Sequence, residues 1–247
     1  LAQPFSAGGF DSIDFGRSTS QGIINLSGTP SLTIADPFTL WSPQADLVLN
    51  TALVGTGDAS LTIEGSGSTT TLSADLITNG GEIYFNDSII LGTDVILDTT
   101  NAGSVPIGAD ITITGTIAAS TPGGQSLTLN AGAGNLNLGE IDATNLLNNL
   151  TLAGGNTLDL SGGLAVVNDL SLNIPVTVTT PTTFSSSIGT IALGSSLTTG
   201  ANDLTFTADN LDFTGGSISG SGNMTLQPTD PAATVNVTNT NISALAD

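Results

Sequence analysis

The sequence contains no cysteine, no histidine and no lysine, and its one basic side chain is Arg17. Each absence removes a class of function. Without cysteine there is neither a disulfide framework nor a thiolate metal site. Zinc sites built from histidine or cysteine are excluded with it. The missing imidazole, thiol and amine also eliminate the Ser/His/Asp triad, the cysteine nucleophile and the Schiff base. A Walker-type phosphate loop would need a lysine that is not there. Against Arg17 stand 21 acids, for a formal charge of −20. Proteins hold nucleic acid by displacing counterions with Lys and Arg, so nucleic acid is not an expected partner. Anionic membrane surfaces are disfavoured for the same reason. No apolar run approaches the ~18 residues of a membrane-spanning helix, so no membrane insertion is expected.

Aromatic residues make up only 4% of the 247 residues and charged residues 9%, while apolar residues reach 38%. The core must therefore be Leu, Ile, Val and Ala, and the surface Ser, Thr, Asn and Gly. That is the composition of a thin, ordered structure with many small turns rather than of a disordered chain.

What is present is a repeated phrase of Ser, Asp or Asn, then Leu-Thr-apolar, a small-residue turn, and a second short alternation. Ser126-Leu127-Thr128-Leu129 leads to Asn135-Leu136-Asn137-Leu138-Gly139, and Asp203-Leu204-Thr205-Phe206 leads to Asn210-Leu211-Asp212-Phe213. Looser copies begin at Ser60 and Asn149. Apolar residues fall at i, i+2, and Gly, Asn or Pro interrupts every ten or so residues, which predicts strands and turns with almost no helix. Strands are predicted at 22–26, 31–34, 46–50, 59–63, 82–86, 94–97, 110–114, 126–129, 149–152, 157–160, 169–174, 190–193, 203–207, 223–226 and 234–237. The fold class is all-β. A parallel β-solenoid is favoured, because its narrow layered interior suits stacked Leu, Ile and Val; the alternative is an antiparallel β-sandwich, which relies on bulkier aromatic cores and Asn-Gly or Asp-Gly hairpins. About a dozen coils are expected, giving a rod of about 60 Å at ~4.8 Å per coil.

Between Leu72 and Gly155 the runs Asp75 to Asn86, Asp94 to Thr99, Gly108 to Ile117 and Gly123 to Gly132 follow one another. This region resembles the repeat units of filamentous-haemagglutinin-like large exoproteins, bacterial surface adhesins built as right-handed parallel β-helices. The resemblance implies a secreted or cell-surface location. It covers about a third of the chain closely. The secretion-domain motif of such proteins is not recognisable here, and the opening Leu1-Ala2-Gln3 has the small-residue character of a cleaved end.

Residues 1–45 differ in composition from residues 46–247, the predicted solenoid repeat domain. They hold Phe5, Phe10, Phe15, Phe38 and the only Trp, Trp41, together with Arg17. These six residues are the candidate assembly interface, either capping the rod or docking on the next molecule, with self-association head to tail as the expected partnership. The carboxyl-terminal stretch from Val235 to Asp247 carries no matching aromatics. Surface glycans or other cells are further candidate partners.

Carboxylate-pair glycoside hydrolysis is the one common mechanism that survives the missing residues, with Asp94 and Asp98, Glu140 and Asp142, or Asp209 and Asp212 as the pairs. The sugar-holding aromatics and bases such a groove needs are almost absent from the middle of the chain, so no enzyme is expected. No cofactor is expected, apart from calcium held by Asp203, Asp209 and Asp212 where coils stack. Thr-x-Thr pairs at Thr112/Thr114, Thr177/Thr179 and Thr205/Thr207 would form an ice-like lattice only if they stood one coil apart. The reading is a non-enzymatic extracellular filament subunit or adhesin stalk, with a carbohydrate-binding module as the alternative.

Overall fold

The computed structural model describes residues 5–28, 31–65 and 67–238. The opening tripeptide and residues 239–247 lie outside them. Within them the chain winds through about ten turns of a parallel β-solenoid with no helix. Every ladder between named strands is parallel, which excludes the antiparallel sandwich.

Each coil crosses up to three faces. The first face is a ten-stranded sheet that starts with Ile13–Gly16, continues through Phe38–Trp41, Leu61–Glu64 and Ile83–Phe85, and ends at Ser217–Gly220. The third face is also ten-stranded, from Ser31–Ile34 to Asn236–Thr238. The middle face is interrupted: five strands from Ile24–Leu26 to Ile117–Ala119, then four from Leu164–Val166 to Met224–Gln227. In the coil between them no strand forms on this face; isolated bridges of Ile141 to Ile117 and Leu147 to Val166, with turn hydrogen bonds such as Ala119 N–H to the Asn145 carbonyl at 2.8 Å, carry it across.

The expected dozen coils becomes about ten because coil length varies. Hydrogen-bonded partners in adjacent coils lie as close as 17 residues (Thr70 and Asp87) and as far as 32 (Asp94 and Ser126). The longest excursion follows Asp98, which turns back over the coil. Its Oδ1 accepts from the Thr100 N–H and hydroxyl, each at 2.6 Å, and its Oδ2 from the Ala102 N–H at 2.8 Å. These bonds support Asn101 and Ala102 at positive φ of 50° and 54°.

Alternation sets what is buried. In Leu61–Glu64, Leu127–Asn130 and Leu158–Leu160 the Leu and Ile side chains point inward and the Thr, Asn and Asp between them outward. Parallel register stacks like on like: Leu53 on Leu76, Leu76 on Leu97, Leu97 on Leu129 and Leu129 on Leu152. Near the end Phe184 stacks on Phe206, ring centroids 5.5 Å apart, and Phe213 lies 5.1 Å from Phe206. Fifteen of these strands coincide with the segments predicted from alternation.

Tight corners need glycine for space rather than for φ. At Gly115 an added Cβ would meet the Asp87 carbonyl oxygen at 2.2 Å and the Ser88 nitrogen at 2.5 Å, both backbone atoms of the preceding coil. Gly115→Ala is expected to lower unfolding free energy by about 1–3 kcal/mol, the usual cost of overpacking a site that cannot yield. Urea unfolding with an unchanged midpoint would contradict it.

Candidate functional site

The aromatic residues of the amino-terminal segment are distributed between core and surface. Phe38 is buried at 2% exposure, and Phe5 packs on it with centroids 6.1 Å apart. Phe10 and Phe15 are 63% and 44% exposed. Phe15, the exposed Arg17 and Ile23 line one open hollow. Trp41 is half-buried on the outer side of the first face, and its indole N–H donates to Asp14 Oδ1 at 3.2 Å. Phe5, Phe15, Phe38 and Trp41 belong to one end of the solenoid, in its first two coils, where Ile13–Gly16 and Phe38–Trp41 pair in register.

The acids fall into a pattern that local sequence does not disclose. An aspartate just before a strand accepts a backbone N–H from the following coil. Asp75 Oδ1 takes the Ile96 N–H at 2.8 Å, Asp94 that of Ser126 at 2.8 Å and Asp110 that of Asn135 at 2.7 Å. Asp169 serves Thr190 and Asp203 serves Asn223, both at 2.8 Å. Asp209 receives both the N–H and the hydroxyl of Thr229. The Asp of the repeated phrase is thus a rung between coils. The first two calcium candidates, Asp203 and Asp209, are occupied in this way, and Asp212 accepts from the Thr214 N–H in its own turn. No group of three acids able to hold a metal ion occurs among the described residues.

Local hydrogen bonds also set the charge state of the turns. The Thr144 N–H holds the Asp142 carboxyl below the ordinary range, and the Thr214 N–H does the same for Asp212. Glu82 is pushed upward, first by partial burial and then by Asp110 of the next coil. The outlier is Asp87, at the corner after Ile83–Phe85 and only 5% exposed. Thr70, an inward-facing residue of the middle face, donates to its Oδ2 at 2.5 Å, while Oδ1 has no partner. Burial raises its pKa to about 7, with Glu64 adding to the rise and the Thr70 bond opposing it. Asp94 and Asp98, proposed as a catalytic pair, serve a rung and a loop respectively. Asp142 is likewise engaged by Thr144 and Asn145.

Outward side chains of the first face form two files along the axis. One runs Asp14, Thr39, Thr62, Tyr84, Thr112, Asn137, Asp159, Thr177, Thr198 and Ser219, one residue per coil. Beside it, two residues on in each strand, stand Trp41, Glu64 and the turn residues Asn86, Thr114, Gly139, Ser161 and Thr179. Gly139 is bare because a Cβ there would meet the Gly115 carbonyl at 2.3 Å. It opens a shallow depression of about 240 Å³ lined by Thr112, Thr114, Asn137, Asp159, Ser161 and Thr179. Thr112/Thr114 and Thr177/Thr179 share this face, separated by two coils without Thr pairs, and Thr205/Thr207 lie on the middle face. A registered lattice of Thr pairs is not formed. Tyr84 and Asp159 escape a sequence reading, since neither carries a motif and coil lengths differ. No family model, no curated protein and no solved structure matches the chain.

Proposed function

We propose that the chain is a non-enzymatic extracellular structural protein, a subunit of a self-assembling surface filament or the stalk of an adhesin, of the filamentous-haemagglutinin-like kind. The observation that carries this reading is the stack of about ten parallel coils, whose ladders all run along one axis. Among the described residues, Ile13–Gly16 and Ile24–Leu26 have a strand partner on one side only, as do Ser217–Gly220, Met224–Gln227 and Asn236–Thr238 at the opposite end. A parallel edge of this kind matches the hydrogen-bond spacing of a further parallel coil.

Apolar surface accompanies both edges. Phe10, Phe15 and Ile23 are exposed at the first, while Ile218, Met224 and Leu226 are only partly covered at the other and Val237 is 43% exposed. A contact between unlike ends is heterologous and propagates. The formal charge of −20 keeps separate rods apart laterally, which favours growth at the ends over bundling.

Negative-stain microscopy and sedimentation of the purified chain, with and without calcium, test this beside the double variant Phe10→Ser, Phe15→Ser. The wild type is expected to give filaments and the variant dispersed rods of about 45 Å at the coil spacing of a parallel sheet. Dispersed rods in every wild-type sample would overturn the filament reading and leave the stalk.

A further inference from the structure

We propose that the outward surface of the first face, from Trp41 to Thr179, binds a neutral, extended polysaccharide lying along the solenoid axis. This goes beyond the assembly reading and does not depend on it.

Three observations converge on that stripe. The chain has one tryptophan and one tyrosine, and both stand half-buried on the outer side of this one sheet. They are two coils apart, about 10 Å along the axis. Each is fixed by its strand and leaves part of a ring open to solvent. The C–H faces of a sugar ring are apolar and lie on such rings, while its hydroxyls remain free at the edge.

Beyond Tyr84, the side chains one coil apart are all hydrogen-bonding groups. Thr112 follows Tyr84 directly, and Asn137 donates to the Thr112 hydroxyl at 3.1 Å, which orients the amide. Asp159 and the Tyr84 hydroxyl make no hydrogen bond among the described residues. Asp159 therefore offers both oxygens to sugar hydroxyls at the rim of the depression over Gly139. A repeated polar file with a constant step matches a polymer better than a single small molecule. The depression is shallow and open, so it seats part of a chain and does not enclose a ligand.

Charge selects among polymers. Glu64 and Asp159 stand in this stripe and no basic residue does, within a molecule of formal charge −20. Polyanions such as polygalacturonate are repelled, whereas a neutral glycan meets only acceptors and hydroxyls.

Native affinity electrophoresis of the whole protein measures this directly, because its charge drives it through a gel containing polymer. Hydroxyethylcellulose and galactomannan serve as neutral probes and polygalacturonate as the acidic one. At least one neutral polymer is expected to retard the wild type, and polygalacturonate is not. Trp41→Ala and Tyr84→Ala should each raise the apparent dissociation constant about tenfold or more. Tyr84→Phe should stay close to wild type, and Phe10→Ala, outside the stripe, should be unchanged. Far-ultraviolet circular dichroism establishes that the variants keep the solenoid, and Asp159→Asn supplies a second probe that leaves the aromatic packing intact. Wild-type mobility unaffected by both neutral polymers, or retardation that survives all three stripe substitutions, would overturn the proposal. Microscopy of the Tyr84→Ala variant separates the two readings, since filaments should persist when glycan binding is lost.

Discussion

Phe206→Ala is expected to lower the unfolding free energy by about 3–5 kcal/mol, the range for emptying a buried aromatic site. Phe206 is fully buried and stands in register with Phe184 on one side and Leu226 on the other. Its ring also meets Phe213, so three side chains from three coils lose their common partner. Coils touch only their neighbours, and the loss concentrates at that joint rather than spreading along the rod. Amide exchange should show it: protection falls across residues 196–238 and holds across 83–138. Phe10→Ala is the matched surface control, with an expected change within about 0.5 kcal/mol. A uniform loss of protection along the chain would contradict nearest-neighbour coupling.

The second large effect is a dependence on pH that one residue creates. Asp87 is buried with one oxygen unpaired, and its carboxyl is pushed up from 3.8 to about 7. The unfolded chain releases that proton near 3.8, the folded chain only near 7. Folding therefore takes up a proton between those values, and stability falls as pH rises through the window, by about 1.4 kcal/mol per unit and about 4 kcal/mol in all. Below 3.8 both states are protonated and the penalty is absent; above 7 it is fully present and flat. Asp142 and Asp212 have depressed values, so their contribution is lost only as pH falls below the ordinary carboxylate range, outside this window. Asp87→Asn keeps the shape and removes the charge. Urea unfolding at steps from pH 4 to pH 8 should show the variant gaining on the wild type as pH rises. A constant difference across that range would refute this account of Asp87.

The strands that alternation predicts are those whose inward positions hold Leu, Ile or Val. Leu127–Asn130 and Leu204–Thr207 read directly from Leu-Thr-apolar. Thr69–Leu72 and Thr182–Ser186 do not, because their inward residues include Thr70, Thr182 and Ser186, which find hydrogen bonds inside the solenoid. Strands such as Phe38–Trp41 were hidden by composition, since residues 1–45 look unlike the repeats although 13–41 pair into the same faces. The acids of the repeated phrase are visible in sequence, but their service to the next coil is not, because it depends on which backbone N–H lies above. The same limit hides the stripe from Trp41 to Thr179. Residues that become neighbours on a face are separated by coils of unequal length, and no spacing rule links them.

The interruption of the middle face has a mechanical consequence. Two walls of the rod run unbroken through ten strands, while the third is carried across one coil by the bridges of Ile141 and Leu147 and by turn hydrogen bonds. Under a transverse load, elongation is resisted by the hydrogen bonds of whichever wall is on the outer side of the bend. With the middle wall outermost, the load at that coil falls on bridge and turn hydrogen bonds rather than on a regular strand ladder, so bending concentrates there and in that direction. A surface appendage built from such units would flex in a preferred plane while staying stiff in the others.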